Sequence, residues 1–292
     1  MAQKVFTLFH LSLVPIAQLD IEMRKDDSRE QWLRFALSQG FEFTHWGGGT
    51  LHWVPLSPID ECIFGLLERT RPHEHHMPPS EGGAEVVSEE WQGAYVMIDP
   101  THHDEGQRVS VENDVVGQPR ALLKSLVSAI NDRRAAPYQI EIEPLFDASR
   151  FWAFAKRHDN VLRSVTFDFV VPNMWGTESD LEKDLKDTGA QTGAERVTVG
   201  ISGEHGIFTE NQKVRDGVEY AEKGAGTVRA KAMDGQRFSS TARPRTSRIP
   251  LVEAGSELMH EYFGKLKRKI LGREQDSAMD SSDRPGDGSA DN

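Results

Sequence analysis

The sequence predicts an α+β fold of mixed sheets with packed helices. Three observations carry the prediction. Val5, Thr7, Phe9, Leu11 and Leu13 alternate along the first stretch, as one face of a strand requires. After about residue 137, helical and strand periodicities interleave, which suits helices layered on a sheet. Asp234-Gly235 stands between two short alternating runs, a strong two-residue hairpin signal.

The first strand is expected to end before Pro15. Ser28-Arg29-Glu30-Gln31 has capping-box spacing, and Trp32, Leu33, Phe35, Ala36 and Leu37 follow at helical intervals until Gly40. Strands 41–44 and 50–54 flank Gly47-Gly48-Gly49 as a hairpin. A glycine run that cradles phosphate would lead into a helix, and here a strand follows. A third strand is expected over 59–69, and residues 70–83, polar and rich in Pro and His, read as a loop. Strands return over 91–98 and 109–111. Pro119 then opens a helix with Leu122, Leu123, Leu126, Val127 and Ile130 on one face.

The pattern shifts near 133–137. The expected division is a sheet-rich α+β domain over 1–136, an α/β domain over 137–273 and a tail over 274–292. Residues 138–142 alternate as a strand. Asp147 caps a helix running to His158 that buries Phe151, Phe154 and Ala155. Residues 161–171 form a strand closed by Pro172, and Thr177 and Asp180 have capping spacing ahead of Leu181 and Leu185. A strand over 196–201 and a helix over 211–222, ending at Gly224, lead to the hairpin strands 227–232 and 236–240. Over 253–271, Leu258, Tyr262, Leu266 and Ile270 fall four apart, with acids early and bases late, matching the helix dipole. The tail is Ser, Asp, Gly and Pro with little to bury, so it is expected to be disordered and acidic.

Composition narrows the classes. The chain has 292 residues and 37% are hydrophobic, enough for a sizeable core. Cys62 is the single cysteine and is expected to be a buried, inert thiol in a reducing compartment, so a cytoplasmic location is expected. No apolar run approaches the ~20 residues that span a bilayer, so no membrane insertion is expected. The net charge of −12 argues against a general nucleic-acid coat protein. That charge is segregated: residues 228–273 carry eleven Lys and Arg against four acids, and the tail carries six acids against one Arg.

Three sets of residues could carry chemistry. His73, His75 and His76, with His102-His103-Asp104, would hold a divalent metal if their two loops met. That is the alternative of a metal-dependent hydrolase or nuclease. Glu141 and Glu143 share a strand face, but Pro144 follows where a nuclease pattern wants lysine. No P-loop, GxGxxG or GxSxG motif is present, so no catalytic residue and no cofactor is assigned. The third set is basic. Arg229 and Lys231 share a strand face, Arg237, Arg243, Arg245 and Arg248 follow the hairpin, and Lys265, Lys267, Arg268 and Lys269 end the last helix. Clustered bases of this kind contact phosphates without reading base sequence.

Pro137-Tyr138-Gln139-Ile140-Glu141-Ile142-Glu143-Pro144-Leu145, then a short helix, then Val165-Thr166-Phe167-Asp168-Phe169-Val170-Val171-Pro172-Asn173, resembles a family of bacterial and phage proteins similar to the phage-exclusion protein RexA. The resemblance spans roughly 107–271, in element order more than in identity, and transfers no catalytic motif. It implies a phage-defence or abortive-infection role, binding of DNA with little sequence preference, and a homodimer. The function expected from residues and resemblance together is non-enzymatic nucleic-acid binding in defence. Beside the hydrolase, the second alternative to that function is a protein-interaction subunit that docks a partner defence protein.

Overall fold

The structure is a computed structural model and describes residues 3–16, 29–58, 61–101, 107–113, 116–133, 136–171, 180–194, 196–242, 244–250 and 264–268. The fold is α+β, built on two sheets whose ladders among these residues are all antiparallel.

Strand β1 (Gln3–Pro15) organises the first sheet. One of its edges pairs with β6 (Gln107–Glu112). The other takes β12 (Thr246–Pro250) along Gln3–Thr7 and then β7 (Tyr138–Pro144) along Phe9–Pro15. Beyond β6 the sheet continues through β5 (Glu85–Asp99), β4 (Ile63–His76), β3 (Thr50–Pro55) and β2 (Phe41–Thr44). The boundary expected at 136/137 therefore runs through this sheet, since β7 and β12 both follow it in sequence.

Alternation makes β1 apolar on both faces. Phe9, Leu11 and Leu13 join a core with Trp32, Leu33 and Leu37 from and just after α1 (Arg29–Ala36) and with Leu122, Leu126 and Ile130 of α2 (Pro119–Asn131). Phe6 and Leu8 face the other way, into a core with Phe64, Met97, Leu145 and the buried Cys62. The helical segment 264–268 adds Leu266 to that core. The rest of the helix expected over 253–271, and the tail 274–292, lie outside the described residues.

The region read as a loop over 70–83 is corrected. Strands β4 and β5 pair without a break from Ile63↔Ile98 to His76↔Glu85. Strand β3 reaches along β4 only to Glu68, and β6 along β5 only from Val96. Among the described residues, 69–76 and 85–92 thus pair only with each other, as a ribbon about 26 Å long at ~3.3 Å per residue. Both its faces are largely exposed, so no apolar alternation marks it in the sequence.

The second sheet has the order β11 (Arg237–Ser239), β10 (Gly226–Ala232), β8 (Val161–Val170) and β9 (Arg196–Phe208). One face carries Val165, Phe167, Phe169, Val228, Ala230 and Ala232. They pack under α3 (Ala148–Arg157), α4 (Asp180–Thr192) and α5 (Gln212–Tyr220), which contribute Phe151, Phe154, Leu185, Val214 and Val218. The helix starts follow the sequence: the Asp147 side chain accepts from Ser149 N–H, and that of Asn211 from Val214 N–H. After α5 the chain closes in a π-turn (Ala221–Ala225) at Gly224. Gly224 has φ 91°, and a Cβ there would collide with His10 of β1.

Candidate nucleic-acid interface

Because the apolar residues of the second sheet turn toward the helices, the alternate residues form an opposite, polar face. Register aligns Ser202, Ser164, Lys231 and Arg237 in one row across all four strands. The next row is Gly200, Thr166, Arg229 and Ser239, and a third holds Thr198, Asp168 and Thr227. Arg229, Arg237, Thr198, Gly200 and Ser202 are exposed, and Lys231 is half-buried. A Cβ built at Gly200 would meet nothing within 4 Å, so the face is open at its β9 edge. The first two rows hold hydroxyls, cations and Gly200, the third adds the Asp168 carboxylate, and none of the three has an aromatic ring.

Arg196 ties this face to the first sheet. Its guanidinium donates to Asp168 at 3.1 and 3.2 Å and lies 2.9 Å from Glu143 and 3.9 Å from Glu141. Burial opposes its charge, but Asp168 and Glu143 outweigh that and hold the guanidinium above its usual range. Glu141 and Glu143 share a face of β7, as their spacing predicts, and stand directly across from Ser12 and His10 of β1. Nothing in the sequence marks Arg196, Arg120 or Thr241, which tertiary packing brings to the junction. There Arg120, Glu143, Asp168, Thr227, Arg229 and Thr241 line a cleft of about 260 Å³. Arg120 Nε and Glu143 Oε2 are buried without a hydrogen-bond partner among the described residues. A wider groove of about 700 Å³ lies between α3 and α5, lined by Trp152, Lys156 and Arg215 among others.

The cations singled out in the sequence divide between the two sheets. Arg229, Lys231 and Arg237 come together on the open face. Arg245 is exposed just before β12, its backbone bonded to Leu8 and Leu145. Its charge bears on Arg108, whose own charge is opposed first by burial, then by Arg245, and favoured by Asp99. Arg248 is exposed on β12; its neighbour Ile249 faces Leu266, so Arg248 points to the opposite side. Lys265 and Arg268 are exposed and Lys267 half-buried on the segment that Leu266 anchors. Arg243 and Lys269 lie outside the described residues.

The histidines sit differently from expectation. His73, His75 and His76 belong to β4, not to a loop, and His73 and His76 fall on opposite faces of that strand. His102, His103 and Asp104 lie outside the described residues. Among the described residues no three His, Cys, Asp or Glu side chains gather as metal ligands would. No helix among them is long and apolar enough to cross a membrane.

No protein-family model, curated protein or solved structure matches this chain.

Proposed function

We propose that the protein binds nucleic acid, DNA in the first place, through the open face of its second sheet and without strong sequence preference. The observation that carries this reading is the pair of rows in which Arg229, Lys231 and Arg237 stand among hydroxyls with no aromatic side chain. Arginine, lysine, serine and threonine are the residue types that contact phosphate oxygens. Sheets that read single strands by stacking place aromatics on this kind of face, so its chemistry favours backbone contact over base reading. The phage-exclusion resemblance supports a setting in defence, with the protein acting as a non-enzymatic binder and a homodimer.

The test is fluorescence anisotropy with unrelated duplexes across a salt series. Affinity should be similar on all of them and fall steeply with salt. Replacing Arg229, Lys231 and Arg237 by Gln should weaken binding on every duplex. The salt slope should shrink by roughly 0.9 for each phosphate no longer neutralised. Gly200→Glu, which has room for its side chain, should weaken binding by charge while leaving thermal unfolding nearly unchanged. Salt-independent binding, or a triple variant that binds like the wild type, would sink the reading.

A second reading, a subunit that docks a partner protein, is favoured by the ribbon. Trp91 is 56% and Val87 61% exposed there, beside Glu85, Glu89 and Glu90. An apolar strip rimmed by acids suits a basic protein surface. Crosslinking in the native host, with and without the ribbon, separates the two readings: a partner that disappears with the ribbon while DNA binding persists supports docking.

A further inference from the structure

The ribbon of β4 and β5 has two chemically different faces. Pairing and alternation place Trp91 and Val87 on one of them, together with Glu74, Glu85 and Glu89. Arg69 and Arg71 fall on the other. The first face runs on into the sheet through Glu68 and, across β3, Glu42. Its rows from Glu42 to Glu85 hold five glutamates and neither lysine nor arginine. Glu74, Glu85, Glu89, Val87 and Trp91 are all exposed. An apolar strip among carboxylates fits a basic surface with room for an indole. This chain carries such a surface itself. The open face of the second sheet presents Arg229, Lys231 and Arg237, three cations for the ribbon's three carboxylates. At Gly200 that face has no side chain and space for one.

We propose that the acidic face of the ribbon seats on the open sheet face of a second copy of this chain, whose own ribbon seats on the first. Such an exchange closes at two copies, because the same pair of surfaces is used twice about a two-fold axis. Area sets its strength. A ribbon face about 26 Å long and two strands wide, ~10 Å, covers roughly 260 Å². Two such contacts, counted on both partners, bury about 1,000 Å², the lower limit for a specific interface. The dimer is therefore weak, and salt screens its exposed ion pairs. It is also a regulatory device, and here the proposal rests on the nucleic-acid reading above. Phosphates and the second copy's ribbon compete for Arg229, Lys231 and Arg237, so DNA is bound by the single copy.

Sedimentation velocity on the full chain tests it. At low salt the wild type should run as a dimer, and its dissociation constant should rise about tenfold or more toward physiological salt. One charge-reversed variant carries Glu74→Lys, Glu85→Lys and Glu89→Lys, and the other Arg229→Glu, Lys231→Glu and Arg237→Glu. Each alone should be a monomer, since both contacts then repel, and an equimolar mixture should restore the dimer. Thermal unfolding checks that each variant folds. Where one does not, Gln at its three positions replaces it and should weaken the dimer by about tenfold. An excess of one-turn duplex should convert the wild-type dimer to single copies bound to DNA. Four results overturn the proposal: a wild-type monomer at low salt, a folded variant that dimerises like the wild type, a mixture of folded reversed variants that stays monomeric, or a dimer that persists on the duplex. Absent duplex binding with the charge-reversal pattern intact overturns the open-face reading and leaves the contact between copies standing.

Discussion

At the residue scale, His10 shows how tertiary burial changes chemistry that sequence position does not reveal. It is 9% exposed and capped by Gly224. Burial first, and Arg108 second, lower its pKa to about 4. Glu143 lies directly across from it on β7, but Arg196 holds that carboxylate. The folded protein therefore keeps His10 neutral, whereas the unfolded chain takes up a proton near pH ~6.5. The sign follows: this contribution is whole above about pH 6.5 and is lost as pH falls toward 4, amounting to roughly 3 kcal/mol. Urea midpoints should fall for the wild type between pH 7 and 4.5, and His10→Gln should flatten that limb. A variant with the same acid limb would assign the loss to other groups. The sequence alone points instead to His73 and His102, because clustering is visible in a string of letters and burial is not.

At the element scale, local signals are legible where a short-range rule decides the outcome. Asp147 and Asn211 cap their helices through their own side chains, and the Asp234-Gly235 signal does mark a hairpin, but its turn takes three residues, Met233-Asp234-Gly235, instead of two, with Gly235 at φ 91°. Pro119 opens α2, whose Leu122, Leu126 and Ile130 are buried as their spacing predicts. The ribbon does not show because a strand wet on both faces has no alternation to detect, and Pro72 and three histidines weigh toward a loop. Its independence from both cores makes a prediction. Replacing 71–90 by Asn-Gly joins Thr70 to Trp91, which already face each other across the ribbon. The thermal midpoint should then move by no more than about 2–4 °C, the equivalent of ~1 kcal/mol in a chain of 150–250 residues. A larger loss, measured by calorimetry, would mean that the ribbon supports the sheet.

At the scale of the whole molecule, charge segregation meets topology. Residues 274–292 carry six acids and one arginine, directly after the basic segment. Such a stretch competes with phosphate for exposed cations over about one Debye length, ~8–10 Å. Removing it should tighten duplex binding at low salt, with the gain disappearing as salt rises. Equal affinities at low salt would exclude that competition. The sequence by itself determined the α+β class, the Asp147 helix cap, a hairpin at Asp234-Gly235 and the shared face of Arg229 and Lys231. Each follows from period, cap or turn chemistry within a few neighbouring residues. Only the tertiary structure decided that β7 and β12 return to β1, that the second sheet leaves one face open, and that Arg196 and Arg120 meet Glu143 and Asp168. Those pairings join residues far apart in the chain. Strand partners are chosen by burying two faces of β1 at once, and no local pattern records that choice.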